Sequence, residues 1–173
     1  METPIETYEI RQAKITVDDR DAFLRMIQGI ARLYSTHIVC FDADKLAGRD
    51  HAEAALQHAQ RSFFSDKPIS NTFEMEALLF AAGSRQCLVA ASFGIQEREN
   101  RTFVCSYPVN EGVWRDLSHH MHFVIEDWDD ITPEKEAKLM VLFGITQEEL
   151  DMVGRDRMKD LLLERIALLH VNR

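Results

Sequence analysis

The sequence predicts an α/β (α+β) fold, with a single mixed or antiparallel sheet flanked by helices and an all-helical C-terminal segment. Three observations predict it. Strand-like runs alternate with segments of helical spacing as far as Trp128. From Thr132 onward only helical patterns occur. No internal repeat, low-complexity tract or clear boundary divides the 173 residues, so residues 1–173 are read as a single domain. A chain of that length can bury roughly 70% of the surface its unfolded form exposes.

In chain order, Tyr8, Ile10, Ile15 and Val17 alternate with polar residues, apart from a slip around Ala13, and predict one long or two short strands. Asp19 or Asp21 caps a helix through Phe23, Met26, Ile27, Ile30 and Tyr34. His37–Phe41 is a short buried strand. After a turn at Gly48, Asp50 and Glu53 have the spacing of a capping box, ahead of a helix with Ala52, Ala55, Leu56, Ala59 and Phe63 on one face. Asn71 and Glu74 repeat that spacing for a helix through Phe73, Ala77, Leu78 and Ala81, stopped by Gly83. This helix is apolar nearly all round and should be central. Cys87–Ala91, Arg101–Val109 and His122–Trp128 read as further strands. Thr132 with Pro133 opens a helix that Gly144 closes, and Thr146 with Glu149 opens a short one ending near Gly154. The last helix runs from about Arg155 to Asn172.

Composition excludes several classes. No apolar run approaches the roughly 18 to 20 residues of a membrane span, so no membrane partner is expected. Met1–Gln12 carries three glutamates and no apolar stretch, which is unlike a signal peptide and predicts a cytoplasmic protein. The cysteines Cys40, Cys87 and Cys105 are odd in number and flanked by apolar residues, and they read as reduced, buried small hydrophobes. A net charge of -9 opposes wholesale nucleic-acid binding, so any such contact must be local.

Catalytic signatures are missing: there is no glycine-rich phosphate loop, His-Glu-x-x-His, Cys-x-x-Cys or Gly-x-Ser-x-Gly. No cofactor is expected. One alternative is a metal-dependent enzyme, because His119, His120 and His122 lie close to Glu126, Asp127, Asp129 and Asp130, and imidazole with carboxylate suits zinc or a similar ion. The plainer reading is polar sequence entering a strand.

The terminal helix carries the clearer signal. At 100° per residue, Met158, Leu162, Ile166 and Leu169 form one stripe, enough to dock the helix on its own core. Leu163, Ala167 and Val171 form a second stripe on nearly the opposite side, while Leu161 and Leu168 widen the first. Each Leu or Val left in water forgoes roughly 1.5 to 3 kcal/mol of burial. A partner should therefore cover the second stripe, either another protein or a second copy across a homodimer seam. Full burial within the domain is resisted by Arg157, Lys159, Asp160, Glu164 and Arg165, which occur around the whole girth.

Two stretches resemble a known family. GRDHAEAALQHAQRSF, then KPISNTFEMEALLFAAGSRQ and an expected strand ending in FGI, are similar to the small kinase-binding subunit of the KEOPS complex, the Cgi-type family. The tail ITPEKEAKLMVLFGITQEELDMVGRDRMKDLLLERIALL resembles that family's closing helices, best in archaeal members. The likeness is loose over Tyr8–Asp66 and close over Lys67–Ile95 and Ile131–Leu169; it gives no meaning to Gln96–His122 or Trp114.

The resemblance implies a non-catalytic accessory subunit that binds the small lobe of an atypical kinase or ATPase subunit through its terminal helix. On this chain the positions are Leu161, Leu163, Glu164, Arg165, Ala167, Leu168 and Val171. It also implies recruitment of tRNA by its single-stranded 3′ CCA end for threonylcarbamoyladenosine modification. The corresponding residues flank the central apolar helix: Arg61, Lys67, Asn71, Arg85 and Gln86. A single-stranded end needs only a few basic side chains and an apolar shelf for its bases. Asn71 has a purely structural reading as a helix cap, and Arg61 and Lys67 one as ordinary surface charges.

Overall fold

The computed structural model describes residues 7–171. The expected helix end at Asn172 and the first half of the Met1–Gln12 segment lie outside them. Among the described residues the chain forms one four-stranded antiparallel sheet and eight α-helices, as the interleaved patterning predicts.

The strands are β1 (Glu9–Thr16), β2 (His37–Asp42), β3 (Glu99–Tyr107) and β4 (His122–Val124), in the order β2-β3-β1-β4. β1 pairs antiparallel with β3 from Glu9 opposite Ser106 to Thr16 opposite Glu99, in unbroken register. The slip at Ala13 is therefore not a bulge. Successive side chains point to opposite faces of a strand, so Ile10 lies under one face while Ala13 and Ile15 lie under the other.

The chain divides into two compact units, residues 1–40 with 95–126, and residues 41–94 with 127–173. In the first, α1 (Arg20–Leu33) is capped by Asp19, whose carboxylate accepts from Ala22 N at 3.0 Å. Ile27 and Ala31 of α1 join Ala13, Ile15, Val17, Ile38 and Val104 in one apolar cluster. That cluster also takes Val113, Trp114 and Leu117 from α5 (Gly112–Leu117), a helix the sequence reading does not contain. At six residues it is too short to display a period. The Trp114 indole N–H donates to Glu9 at 2.7 Å, and the Arg11 guanidinium lies 4.5 Å over the ring.

The second unit is helical. It holds α2 (Arg49–Phe63), α3 (Phe73–Ala82), α4 (Cys87–Ala91), α6 (Pro133–Phe143), α7 (Gln147–Val153) and α8 (Met158–Ala167). As predicted, α3 is central: Phe73, Ala77, Leu79, Phe80 and Ala81 are fully buried. The αL glycines Gly83 and Gly144 close α3 and α6 where expected. Thr132 caps α6 with Pro133 in its first turn, and Thr146 with Glu149 forms a complete capping box on α7.

Several expectations are corrected. Cys87–Ala91 is helix rather than strand, because its paired alanines follow a glycine stop and lead into a tight turn at Ser92–Gly94 rather than a β ladder. Cys87 is consequently exposed and Cys40 half-buried, leaving only Cys105 as expected. β4 stops at Val124 instead of Trp128: the Glu126 N–H donates to the Gln12 side chain at 2.9 Å and the Asp129 N–H to the Asp127 side chain at 3.1 Å, so neither joins a backbone ladder. Asp50 does not cap α2: the N-cap is Gly48, and Asp129, 80 residues on, supplies the acceptor for Arg49 N at 2.7 Å. The cap of α3 is Thr72, which accepts from Met75 N at 3.2 Å, so the capping role read for Asn71 does not hold. The terminal helix is shorter than Arg155–Asn172; a 3-10 turn over Arg155–Arg157 precedes α8.

Candidate functional site

α8 buries one stripe in its own unit. Met158, Leu162, Ile166 and Leu169 are buried, as their spacing predicts. The stripe opposite is not. Leu163 and Ala167 are half-buried and Val171 is 74% exposed; Leu168, read as widening the inward stripe, is instead 44% exposed, because its direction falls beyond the edge of that stripe. Leu161 is half-buried and Glu164 exposed. Arg165 behaves differently from its neighbours: it turns inward along the surface to donate to both Glu149 oxygens, at 2.6 and 2.8 Å, and to the Gly144 carbonyl at 3.3 Å. It thus ties α8 to the start of α7.

The chain beyond α8 is held by an aromatic cluster. The His170 ring lies 4.6 Å from Phe80 and 5.1 Å from His58, and His58 stacks on Phe80 at 5.4 Å. Arg61 donates to His58 Nδ1 at 3.1 Å. Burial, with the Arg61 and His170 charges behind it, pushes the His58 pKa down to about 4. The neutral ring suits this apolar setting. Arg61, read as a nucleic-acid contact, is exposed and lies beside His58, near the end of α8.

Lys67 and Asn71 occupy the loop between α2 and α3, and both are exposed. Arg85 and Gln86, also exposed, begin the turn after Gly83. A ten-residue helix is about 15 Å long, so α3 separates these two groups by roughly its own length. The two pairs thus flank the central helix at its opposite ends. Gln86 stands at the N-cap position of α4 without a side-chain cap, its N–H donating to Ser84 at 3.1 Å.

The loop carrying Lys67 and Asn71 is built on a residue the sequence reading passed over. Glu76, fully buried in α3, accepts from the Ser62 hydroxyl at 2.6 Å, Ile69 N at 3.0 Å, and Ser70 N and hydroxyl at 2.8 Å each. Burial alone would raise its pKa, but these four donors outweigh it and hold the carboxyl below its ordinary value. The signal was present in FEMEALLFAA: a glutamate on a helix with no polar face must meet donors inside. A second buried polar group, His51, bridges the start of α2 to the end of α3. Its Nδ1 accepts from Ala47 N at 3.0 Å, which leaves Nε2–H to donate to the Ala81 carbonyl at 2.8 Å.

His119, His120 and His122 are all exposed and fall in two elements, the turn after α5 and the start of β4. Among the described residues, no three His, Cys, Asp or Glu side chains are grouped so as to hold a metal ion. No helix among them is long and apolar enough to cross a membrane. In comparisons with known proteins, no family model and no curated protein matches the chain.

Proposed function

We propose that this protein is a non-catalytic, cytoplasmic accessory subunit of a KEOPS-type complex. It binds the small lobe of an atypical kinase or ATPase subunit and helps recruit tRNA, by its 3′ CCA end, for threonylcarbamoyladenosine modification. The observation that carries this reading is the division of α8: Met158, Leu162, Ile166 and Leu169 satisfy its own core, yet Leu163, Ala167, Leu168 and Val171 leave apolar surface outside it. A second stripe in water is a poor arrangement for an isolated chain, and a partner of matching apolar surface removes the cost.

Within the partner surface, Leu163, Ala167, Leu168 and Val171 supply apolar contact, Leu161 and Glu164 the margin. Arg165 supports the surface from within through Glu149. The basic residues suited to nucleic acid are few and local, Arg61, Lys67 and Arg85, with Asn71 and Gln86 as polar neighbours, in keeping with a net charge of -9.

Co-purification with the kinase subunit tests the first half. Leu163→Asp, Ala167→Asp or Leu168→Asp should abolish it, and wild-type affinity in all three would refute the assignment. For the second half, intact tRNA should bind more tightly than tRNA lacking its CCA end, and Arg85→Glu should weaken that binding. Equal binding of both tRNAs would refute it.

A further inference from the structure

Phe64 stands where α2 ends, and 64% of it is exposed although it lies among aromatic neighbours. Its ring is 6.4 Å from that of buried Phe73 and nearly parallel to it, at 27°, while Phe63 meets it edge-on at 5.3 Å. A flat hydrophobic surface is therefore fixed from behind and open in front. Two cations flank it in sequence, Arg61 three residues before and Lys67 three after, with Asp66 the one acid between them. In a chain of net charge -9 this is a local excess of positive charge. Ser65, Lys67, Pro68 and Asn71 around it are exposed.

The backing is stiff. Glu76 holds Ile69 and Ser70 by their backbone amides and Ser62 by its hydroxyl, which anchors both ends of the loop to α3. A rigid exposed ring with a cation three residues to either side in sequence suits an unpaired nucleotide, because any base has a flat face to stack and its phosphate needs a nearby cation. A ring left free in this way costs little ordering entropy when a base lands on it.

We infer that Phe64 is a stacking platform for an unpaired base of a single-stranded nucleic-acid end, with Arg61 and Lys67 taking the adjoining phosphates. The inference rests on the nucleic-acid half of the proposed function and adds a contact residue to it.

The test uses the full chain and an RNA hairpin with a single-stranded 3′ CCA end whose terminal adenine is replaced by fluorescent 2-aminopurine. Wild-type protein should bind this hairpin in preference to one without the overhang and quench the fluorophore by stacking. Phe64→Ala should bind about tenfold more weakly, without quenching, while Phe64→Tyr stays within about twofold of wild type and quenches. Because Phe64 is exposed, unchanged thermal unfolding of both variants will show that the fold is intact. If Phe64→Ala binds and quenches as wild type does, the platform is refuted while the overhang preference still stands. If wild type ignores the overhang, both fall. Loss of kinase co-purification in Phe64→Ala with unchanged RNA binding would assign the ring to a protein partner and overturn the inference.

Discussion

One guanidinium nitrogen of Arg165 donates to both carboxylate oxygens of Glu149, at 2.6 and 2.8 Å, joining α8 to the first turn of α7. Glu149 is already committed, since Thr146 N donates to it at 3.3 Å in the capping box. That backbone bond, ahead of the Arg165 charge, holds the Glu149 carboxyl below its ordinary range. The two side chains remain more than a third exposed, so the ion pair by itself is worth little. Glu149→Ala, which removes both cap and tie, should lower the melting temperature more than Arg165→Ala, which removes only the tie. Thr146→Ala should cost about 1 kcal/mol as an ordinary cap loss. Thermal unfolding of the three variants checks the order. If α8 binds a kinase subunit as proposed, Arg165→Ala should weaken that binding less than Leu168→Asp, because Arg165 is engaged with Glu149 rather than turned outward.

Glu76 makes a second prediction. Glu76→Gln would set an amide N–H₂ against donors that now meet a carboxylate, and should destabilise by about 2 to 4 kcal/mol in urea unfolding. The pH dependence has a definite sign. The folded-state pKa is depressed, so the contribution is present at neutral pH and is lost as pH falls through the folded value. Glu76→Gln should remove that part of the acid sensitivity. Hydrogen exchange at Ile69 and Ser70 should rise in the variant while that of β1 stays unchanged.

Acid sensitivity nearer neutrality comes from His51. Burial, reinforced by the Lys135 charge and opposed by the bond to Ala81, lowers its pKa from 6.5 to about 4. Protonation would have to place a hydrogen on Nδ1, which already accepts from Ala47 N. The unfolded chain takes up that proton below about pH 6.5, whereas the folded one resists until about 4. Stability should therefore be full above that window and fall by up to about 3 kcal/mol across it. His58, also lowered to about 4, adds a smaller loss of the same sign because it is only half-buried. Denaturant midpoints measured at intervals from pH 7 to 4 check this, and His51→Gln should flatten the slope.

The elements legible in the sequence were those whose signal is local and periodic. α8's inward stripe, the Thr146–Glu149 box and the glycine stops at Gly83 and Gly144 each depend on residues within about one turn. What escaped depends on distant partners or on helices shorter than two turns. α5 has six residues, and the short helix at Cys87 looks apolar enough to be a strand. At the candidate site, exposure of Val171 was readable from helical spacing and the flanking of α3 by charged residues from their positions, whereas Leu168, placed with the inward stripe, is exposed. Helical spacing put Phe63 on the apolar face of α2 but left Phe64 unassigned, and the burial of Glu76 depends on donors from Ser62, Ile69 and Ser70 that no local pattern announces.

The cap of α2 is the clearest case of such a distant partner and yields the last prediction. Gly48 has φ +106 and no side chain to offer, so the helix borrows its acceptor from Asp129. A Cβ on residue 48 would come within 2.5 Å of the Asp129 carboxylate oxygen that accepts from Arg49 N. Gly48→Ala must therefore both strain the backbone and displace the cap, and should cost about 2 to 3 kcal/mol. Asp129→Ala removes only the cap and should cost about 1 kcal/mol. In the Asp129→Ala background the carboxylate contact is gone, and the dihedral penalty and a tight 3.1 Å approach to the backbone of residue 129 remain, so Gly48→Ala should cost about 1 kcal/mol less there than in wild type. A double-mutant cycle in urea gives that coupling directly, and strictly additive costs would mean that the two residues do not share the helix end.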